Sequence, residues 1–133
     1  MAIYVTSDAH GHVRALDEAL SKISLASDDT LYVLGDMIDR GPDPVGVIKL
    51  VRSLPNARVL KGNHEQIMLD AIIGQDPLDA ETWDINGGWT TRQQLNDMEF
   101  GAYEELVRWM APLPLYAVVE TDERPYLLVH AGI

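Results

Sequence analysis

Four short stretches of this 133-residue chain set oxygen and imidazole side chains beside glycines: Ser7-Asp8-Ala9-His10-Gly11-His12, Gly35-Asp36-Met37-Ile38-Asp39-Arg40-Gly41, Lys61-Gly62-Asn63-His64-Glu65 and His130-Ala131-Gly132. Carboxylate, amide oxygen and imidazole are ligands of hard and borderline divalent cations. An arginine among them offers a planar fork matched to phosphate oxygens. An imidazole that can reach a carboxylate is suited to proton transfer near neutral pH. Together the four stretches carry groups of metal-ligand type. Each also has a plainer account. Asp8 and His10 could form a polar turn, and being two apart in extended chain they would share a face. Asp36 could be a turn aspartate, and Asp39-Arg40 an exposed ion pair of little energetic worth. Asn63 could cap a helix with Gln66 three residues on. His64 could sit in a first helical turn, His130 in the core, and His12 at a helix start. The joint occurrence of the motifs on four separate segments is what favours chemistry.

The segments before the motifs are apolar and rich in β-branched or aromatic residues: Ile3-Tyr4-Val5, Leu31-Tyr32-Val33-Leu34, Arg58-Val59-Leu60 and Tyr126-Leu127-Leu128-Val129. They read as buried strands. Residues 115–119 form a fifth candidate, joined to the fourth run by a hairpin at residues 121–125. Between the first three runs lie helical patterns: residues 13–23, residues 44–54 with Asp43 as N-cap and Pro44 in the first turn, and residues 63–73 ending at Gly74. The order β-α-β-α-β-α implies a parallel sheet, and parallel α/β sheets bind ligands beyond the carboxyl ends of their strands. With the four strands side by side, the four motifs would converge on one crevice. Residues 75–85 are acidic, carry Pro77 and read as an irregular mobile loop. Residues 90–95 and 103–110 read as two shorter helices, with Thr90-x-x-Gln93 as a capping box.

The length fits one domain, residues 1–133, and 47% hydrophobic residues provide for a core. A formal net charge of -11 argues against a nucleic-acid backbone or an anionic membrane as partner. With no cysteine, thiolate zinc, iron–sulfur and disulfide frameworks are excluded. The N-terminus lacks the basic and apolar regions of a signal peptide, and no apolar run reaches the roughly 20 residues of a membrane span. A cytoplasmic protein is expected.

Asp-x-His-Gly, Gly-Asp-x-x-Asp-Arg-Gly, Gly-Asn-His-Glu and a later His-Ala-Gly, in this order, resemble the signature of the Ser/Thr phosphoprotein phosphatases and related calcineurin-like metallophosphoesterases. The resemblance runs from Ile3 to Gly132. It implies an α/β fold: a metallophosphatase-like βαβαβ core with a mostly parallel sheet and an incomplete second sheet. It implies two divalent ions, Mn²⁺ or Fe rather than Zn²⁺ or Mg²⁺. Asp8 and His10 would bind the first, Asp36 would bridge both, and Asn63 and His130 would bind the second. Arg40, Asn63 and His64 would contact the substrate phosphate. A metal-bound hydroxide would attack phosphorus, with His64 protonating the leaving group and Asp39 orienting its ring.

The implied function is a phosphomonoesterase of the protein Ser/Thr phosphatase type, acting on a phosphorylated protein or a small phosphoester. Trp83-Asp84-Ile85-Asn86-Gly87-Gly88 resembles a segment of its small bacterial and phage members and favours that choice over a dinucleoside tetraphosphate hydrolase, which shares the first three motifs. A metal-binding module without activity is the alternative of another class. The family's catalytic unit continues past His-Ala-Gly to a further histidine, and the chain carries only His10, His12, His64 and His130. A C-terminally truncated unit is therefore expected, with a weakened second metal site, little turnover, and apolar surface near Val118 and Leu128 open to self-association.

Overall fold

Alternation of β-branched segments with amphipathic ones produces the expected α/β order. The structure, a computed structural model, describes residues 1–74 and 76–131. Its elements are β1 (Ile3–Thr6), α1 (Val13–Ile23), β2 (Thr30–Val33), α2 (Pro44–Ser53), β3 (Ala57–Val59), α3 (Asn63–Ile73), α4 (Pro77–Ile85), α5 (Trp89–Asp97), α6 (Phe100–Met110), β4 (Tyr116–Glu120) and β5 (Pro125–Val129). Strands β1, β2 and β3 form a parallel sheet in that order, with Tyr4 opposite Leu31 and Leu31 opposite Ala57. Asp43 caps α2 by accepting the Gly46 amide at 2.9 Å, and Pro44 occupies the first turn, where no amide donor is needed. Leu31 and Val33 of β2, Val47, Ile48 and Val51 of α2, and Met68 of α3 are buried together and tie these helices to the sheet.

Two local expectations fail. Residues 75–85 are not an irregular loop: residues 77–85 form α4, and Gln75 lies outside the described residues. Pro77 sits in the first helical turn, where proline is favoured, and Asp76 caps it by accepting the Leu78 amide at 3.0 Å. Its acidic face is solvated, while Trp83 is buried. The capping box at Thr90 is also absent, because α5 begins at Trp89 with Gly88 as N-cap.

β4 and β5 pair antiparallel, Tyr116 opposite Val129 and Glu120 opposite Pro125, as expected. They do not lie beside the parallel strands: they form a separate two-stranded ribbon. The Thr121 hydroxyl accepts from the Glu123 and Arg124 amides at 3.3 and 3.2 Å and closes the turn. Val118 and Leu127 are exposed on the ribbon, and Leu128 is half-buried.

Candidate metal centre and acid–base pair

The first two motifs are built in left-handed backbone. Asp8, His10, Asp36, Asp39 and Arg40 have φ of 59°, 42°, 54°, 71° and 70°. Such conformations cost non-glycine residues on the order of 1–3 kcal/mol each and persist where surroundings over-determine them. Asp8 and His10 therefore do not share a face of extended chain; the turn itself brings Asp8 Oδ1 to 3.7 Å from His10 Nε2. The surroundings that hold the turns are visible. Asp8, His10 and Gly11 amides donate to the carbonyls of Gly35, Asp36 and Met37 at 3.1, 2.9 and 2.9 Å, lacing the two loops together. Beneath them the buried Glu65 carboxylate accepts the amides of Asp36, Met37 and Gly62 at 2.7, 2.9 and 2.8 Å. Burial pushes the Glu65 carboxyl up from its ordinary value, against those amide bonds. Sequence reasoning quoted Glu65 within its motif without giving it a role.

Asp36 is the hub. Its Oδ1 accepts the His64 amide at 3.0 Å, and its Oδ2 lies 3.5 Å from His10 Nε2 and 3.1 Å from His130 Nε2. Nδ1 of His10 faces the Ile38 carbonyl and Nδ1 of His130 faces the Leu34 carbonyl, both at 2.8 Å. A carbonyl only accepts, so each Nδ1 carries a proton and each ring offers Nε2, the arrangement that orients metal-ligating histidines. Ligand atoms of Asp8, Asp36 and His130 lie within 4.8 Å of one another, as do those of His10, Asp36 and His64. For Asp8, burial acts to raise the pKa but is outweighed by hydrogen bonds with Ser7 and Asp36 and by the fields of His130 and His10, leaving it lowered.

This donor set fits a cation. The Asn63 amide oxygen lies 3.0 and 3.1 Å from the Asp36 carboxylate oxygens and 2.8 Å from His130 Nε2. Electron pairs so placed repel unless the amide turns to offer its nitrogen or a cation lies among them. Asp8, His10, Asp36, Asn63 and His130 are thus brought together around Asp36, with His130 grouped beside Asp8 and His64 beside His10. His12 is exposed at the start of α1, as its plainer account had it. Gly132 of the fourth motif is outside the described residues.

Beside the cluster, Asp39 is completely buried and its Oδ2 takes His64 Nδ1 at 2.7 Å. Its Oδ1 accepts the Trp83 indole N–H at 3.0 Å and the Thr91 hydroxyl at 2.7 Å. Sequence reasoning assigned no part to Thr91, and nothing in its local pattern marks it. Arg40 is exposed, and its amide donates to the Gly87 carbonyl at 2.9 Å. Gly87, at φ 89°, has no room for a Cβ, which would meet Arg40 Cγ at 2.8 Å.

With this geometry in place, comparisons define the class. The family model described as calcineurin-like phosphoesterase matches residues 1–133, and the chain belongs to that family. Among relatives, the symmetrical bis(5'-nucleosyl)-tetraphosphatase of Erwinia tasmaniensis is 32% identical over 136 residues, covering 100% of this chain and 45% of that protein. The protein of the same name from Proteus mirabilis is 33% identical over 138 residues, again 100% of this chain and 45% of that protein. The chain thus spans about half the length of these curated relatives. Among solved structures, a metallophosphoesterase from Sphaerobacter thermophilus superposes with a TM-score of 0.61 at 28% identity, covering 90% of this chain and 43% of that one. A Saccharomyces cerevisiae serine/threonine phosphatase matches with a TM-score of 0.71 at 21% identity, covering 98% of this chain and 38% of that one, a likeness of fold alone.

These relatives overturn the protein Ser/Thr phosphatase and phosphomonoesterase reading, since their name specifies a tetraphosphate anhydride. The segment that favoured it has another explanation. Trp83 and Gly87 of residues 83–88 brace Asp39 and Arg40, so the segment has a part in supporting the site.

Proposed function

We propose that this chain forms the metal-binding and phosphate-binding portion of a symmetrical dinucleoside tetraphosphate hydrolase. The observation that carries the proposal is similarity over the whole of this chain to about half the length of proteins of that name, at 32% and 33% identity. A small dinucleotide replaces the phosphoprotein as the substrate considered.

Asp8, His10, Asp36, Asn63 and His130 would hold two divalent ions, with Asp36 shared. An oxygen and imidazole set without thiolate favours Mn²⁺ or Fe. When bound, the ions supply Lewis-acid charge and lower the pKa of a water that becomes the nucleophile. Arg40 holds phosphate oxygens with its fork, and Asn63, itself exposed, contacts them as well. His64, its Nδ1 committed to Asp39, directs Nε2 toward the reaction. A water oxygen joins phosphorus as the central P–O–P bridge breaks, the water's released proton passes to solvent, and His64, carrying a proton on both ring nitrogens, gives the one on Nε2 to the departing nucleoside diphosphate. Symmetrical cleavage leaves two nucleoside diphosphates. A terminal phosphate with a pKa of about 6 needs that proton less than an alkoxide does, so an anhydride tolerates loss of the acid better than an alkyl ester.

The test is to incubate the protein and Mn²⁺ with diadenosine tetraphosphate, and separately with a phosphoserine peptide, and to resolve products chromatographically. Nucleoside diphosphate as sole product from the first, with slower release from the second, is expected. Asymmetric products or preference for the peptide would overturn the assignment. Metal uptake with no turnover of either substrate would favour a binding module.

A further inference from the structure

Every acceptor and donor around Asp39 can be counted, because the carboxylate is wholly shielded from solvent. Thr91 Oγ1 accepts the Asp39 main-chain amide at 2.9 Å, and its own single hydrogen points to Asp39 Oδ1 at 2.7 Å. The Trp83 indole, which can only donate, reaches the same Oδ1 at 3.0 Å. Oδ1 is thereby saturated. Oδ2 is left as the acceptor for His64 Nδ1 at 2.7 Å. The proton of the pair must then sit on Nδ1, and Nε2 faces away from Asp39. Trp83 is on α4 and Thr91 is on α5, so two helices from outside the four motifs fix the imidazole. Both side chains are buried, Trp83 at 3% and Thr91 at 1% exposure, and Gly88 lets α5 close on the indole: a Cβ there would meet Trp83 Cδ1 at 2.3 Å.

We infer that Trp83 and Thr91 are positioning residues for His64: they lock the Asp39 carboxylate so that the His64 ring is held in one orientation, its Nδ1–H on Oδ2 and its Nε2 turned away from Asp39. The inference builds on the reading of His64 as proton donor, but its geometric part can be tested without turnover. The variants are Thr91→Val, which keeps shape and loses the hydroxyl, Thr91→Ser, which restores it, and Trp83→Phe, which keeps the ring and loses the N–H.

The first readout is nitrogen-15 NMR of the histidine rings in the chain as it stands. A slowly exchanging Nδ1 proton on His64 is expected in the parent and in Thr91→Ser. In Thr91→Val and Trp83→Phe it should exchange about tenfold faster or vanish, following loss of a buried hydrogen bond. Folded Thr91→Val and Trp83→Phe proteins that both keep the parental His64 signal and exchange rate would overturn the inference. So would a Thr91→Ser protein that behaves like Thr91→Val. If Thr91→Val does not fold, Trp83→Phe decides by the same criterion.

The second readout is kinetic and applies where the parent hydrolyses diadenosine tetraphosphate. kcat should fall about 10-fold to 100-fold in Thr91→Val, with KM within about twofold, as a fraction of what general acids contribute. The loss should be larger for phenyl phosphate than for p-nitrophenyl phosphate, whose leaving group needs the proton less. Equal losses on both esters would mark a merely structural effect and overturn the positioning role. A parent that binds Mn²⁺ and shows the His64 signal but hydrolyses nothing would sink the proposed function and leave the ring-locking geometry standing.

Discussion

Nε2 of His10 and Nε2 of His130 approach one and the same atom, Oδ2 of Asp36, from 3.5 and 3.1 Å. The two rings come from loops that follow different sheets, and each is turned to that atom by a main-chain carbonyl on its Nδ1. Substituting the shared carboxylate should therefore affect both ions. Asp36→Asn is expected to lower bound Mn²⁺ from two ions to fewer than one at micromolar metal, measured by calorimetry and elemental analysis. Retention of one tight ion would show that the halves of the site are independent.

His64 stands close enough to His10 and Asp36 to be a ligand as well as an acid, with the His10 and His64 rings edge to face at 4.6 Å between centroids. His64→Asn separates the two roles. As the acid, it should lower kcat about 10²–10⁴-fold on an alkyl ester and less on an anhydride, at unchanged metal content. Metal loss matching that of Asp36→Asn would reassign His64 to the ligand set.

Glu65 holds three amides of the site loops and is inaccessible to solvent. Glu65→Gln replaces one acceptor oxygen with a donor that must face an N–H. Leaving a buried donor unsatisfied costs about 1–3 kcal/mol. Urea unfolding of the metal-free protein should show a drop of that size. A variant as stable as the parent would mean that the loops hold themselves.

Asp29 accepts the amides of Ala26 and Ala2 at 2.8 and 2.7 Å, and these bonds, aided by the N-terminal ammonium, hold its pKa below the ordinary value. A carboxylate with a depressed folded-state pKa stabilises the fold above its unfolded pKa of about 3.9. That stability is lost as pH falls through the folded-state pKa. The difference in urea midpoint between parent and Asp29→Asn should be full at pH 7 and shrink as pH falls through the folded-state pKa. A difference that grows on acidification would contradict the assignment.

The sequence was most informative where a residue type answers to a local rule. Asp43 before Pro44 marked the start of α2, and β-branched runs marked the sheet. The candidate ligands could be named because the four motifs, in their order, resemble those of a known family, while residue type alone left a plainer account open for each. Pro77 was misread because a proline that starts a helix and one that breaks it look alike until the following turn is seen. The left-handed backbone at Asp8, His10, Asp36 and Asp39 was hidden because Asp and His adopt it more readily than most residues but do not require it. Thr91 was hidden for another reason: its partner is 52 residues away, and only the packing of α5 against the second motif joins them.

The ribbon of β4 and β5 shares no strand pairing with the parallel sheet, yet its last turn delivers His130 to Asp36. The candidate site is therefore bipartite, and the gap between its parts is a mechanical coordinate of the protein. An ion captured there acts as a rivet between two plates. By linkage, whatever tightens the ribbon against the sheet strengthens capture, and whatever captures tightens the ribbon. With an ion bound there, metal supply would set the rigidity of the molecule as well as its chemistry.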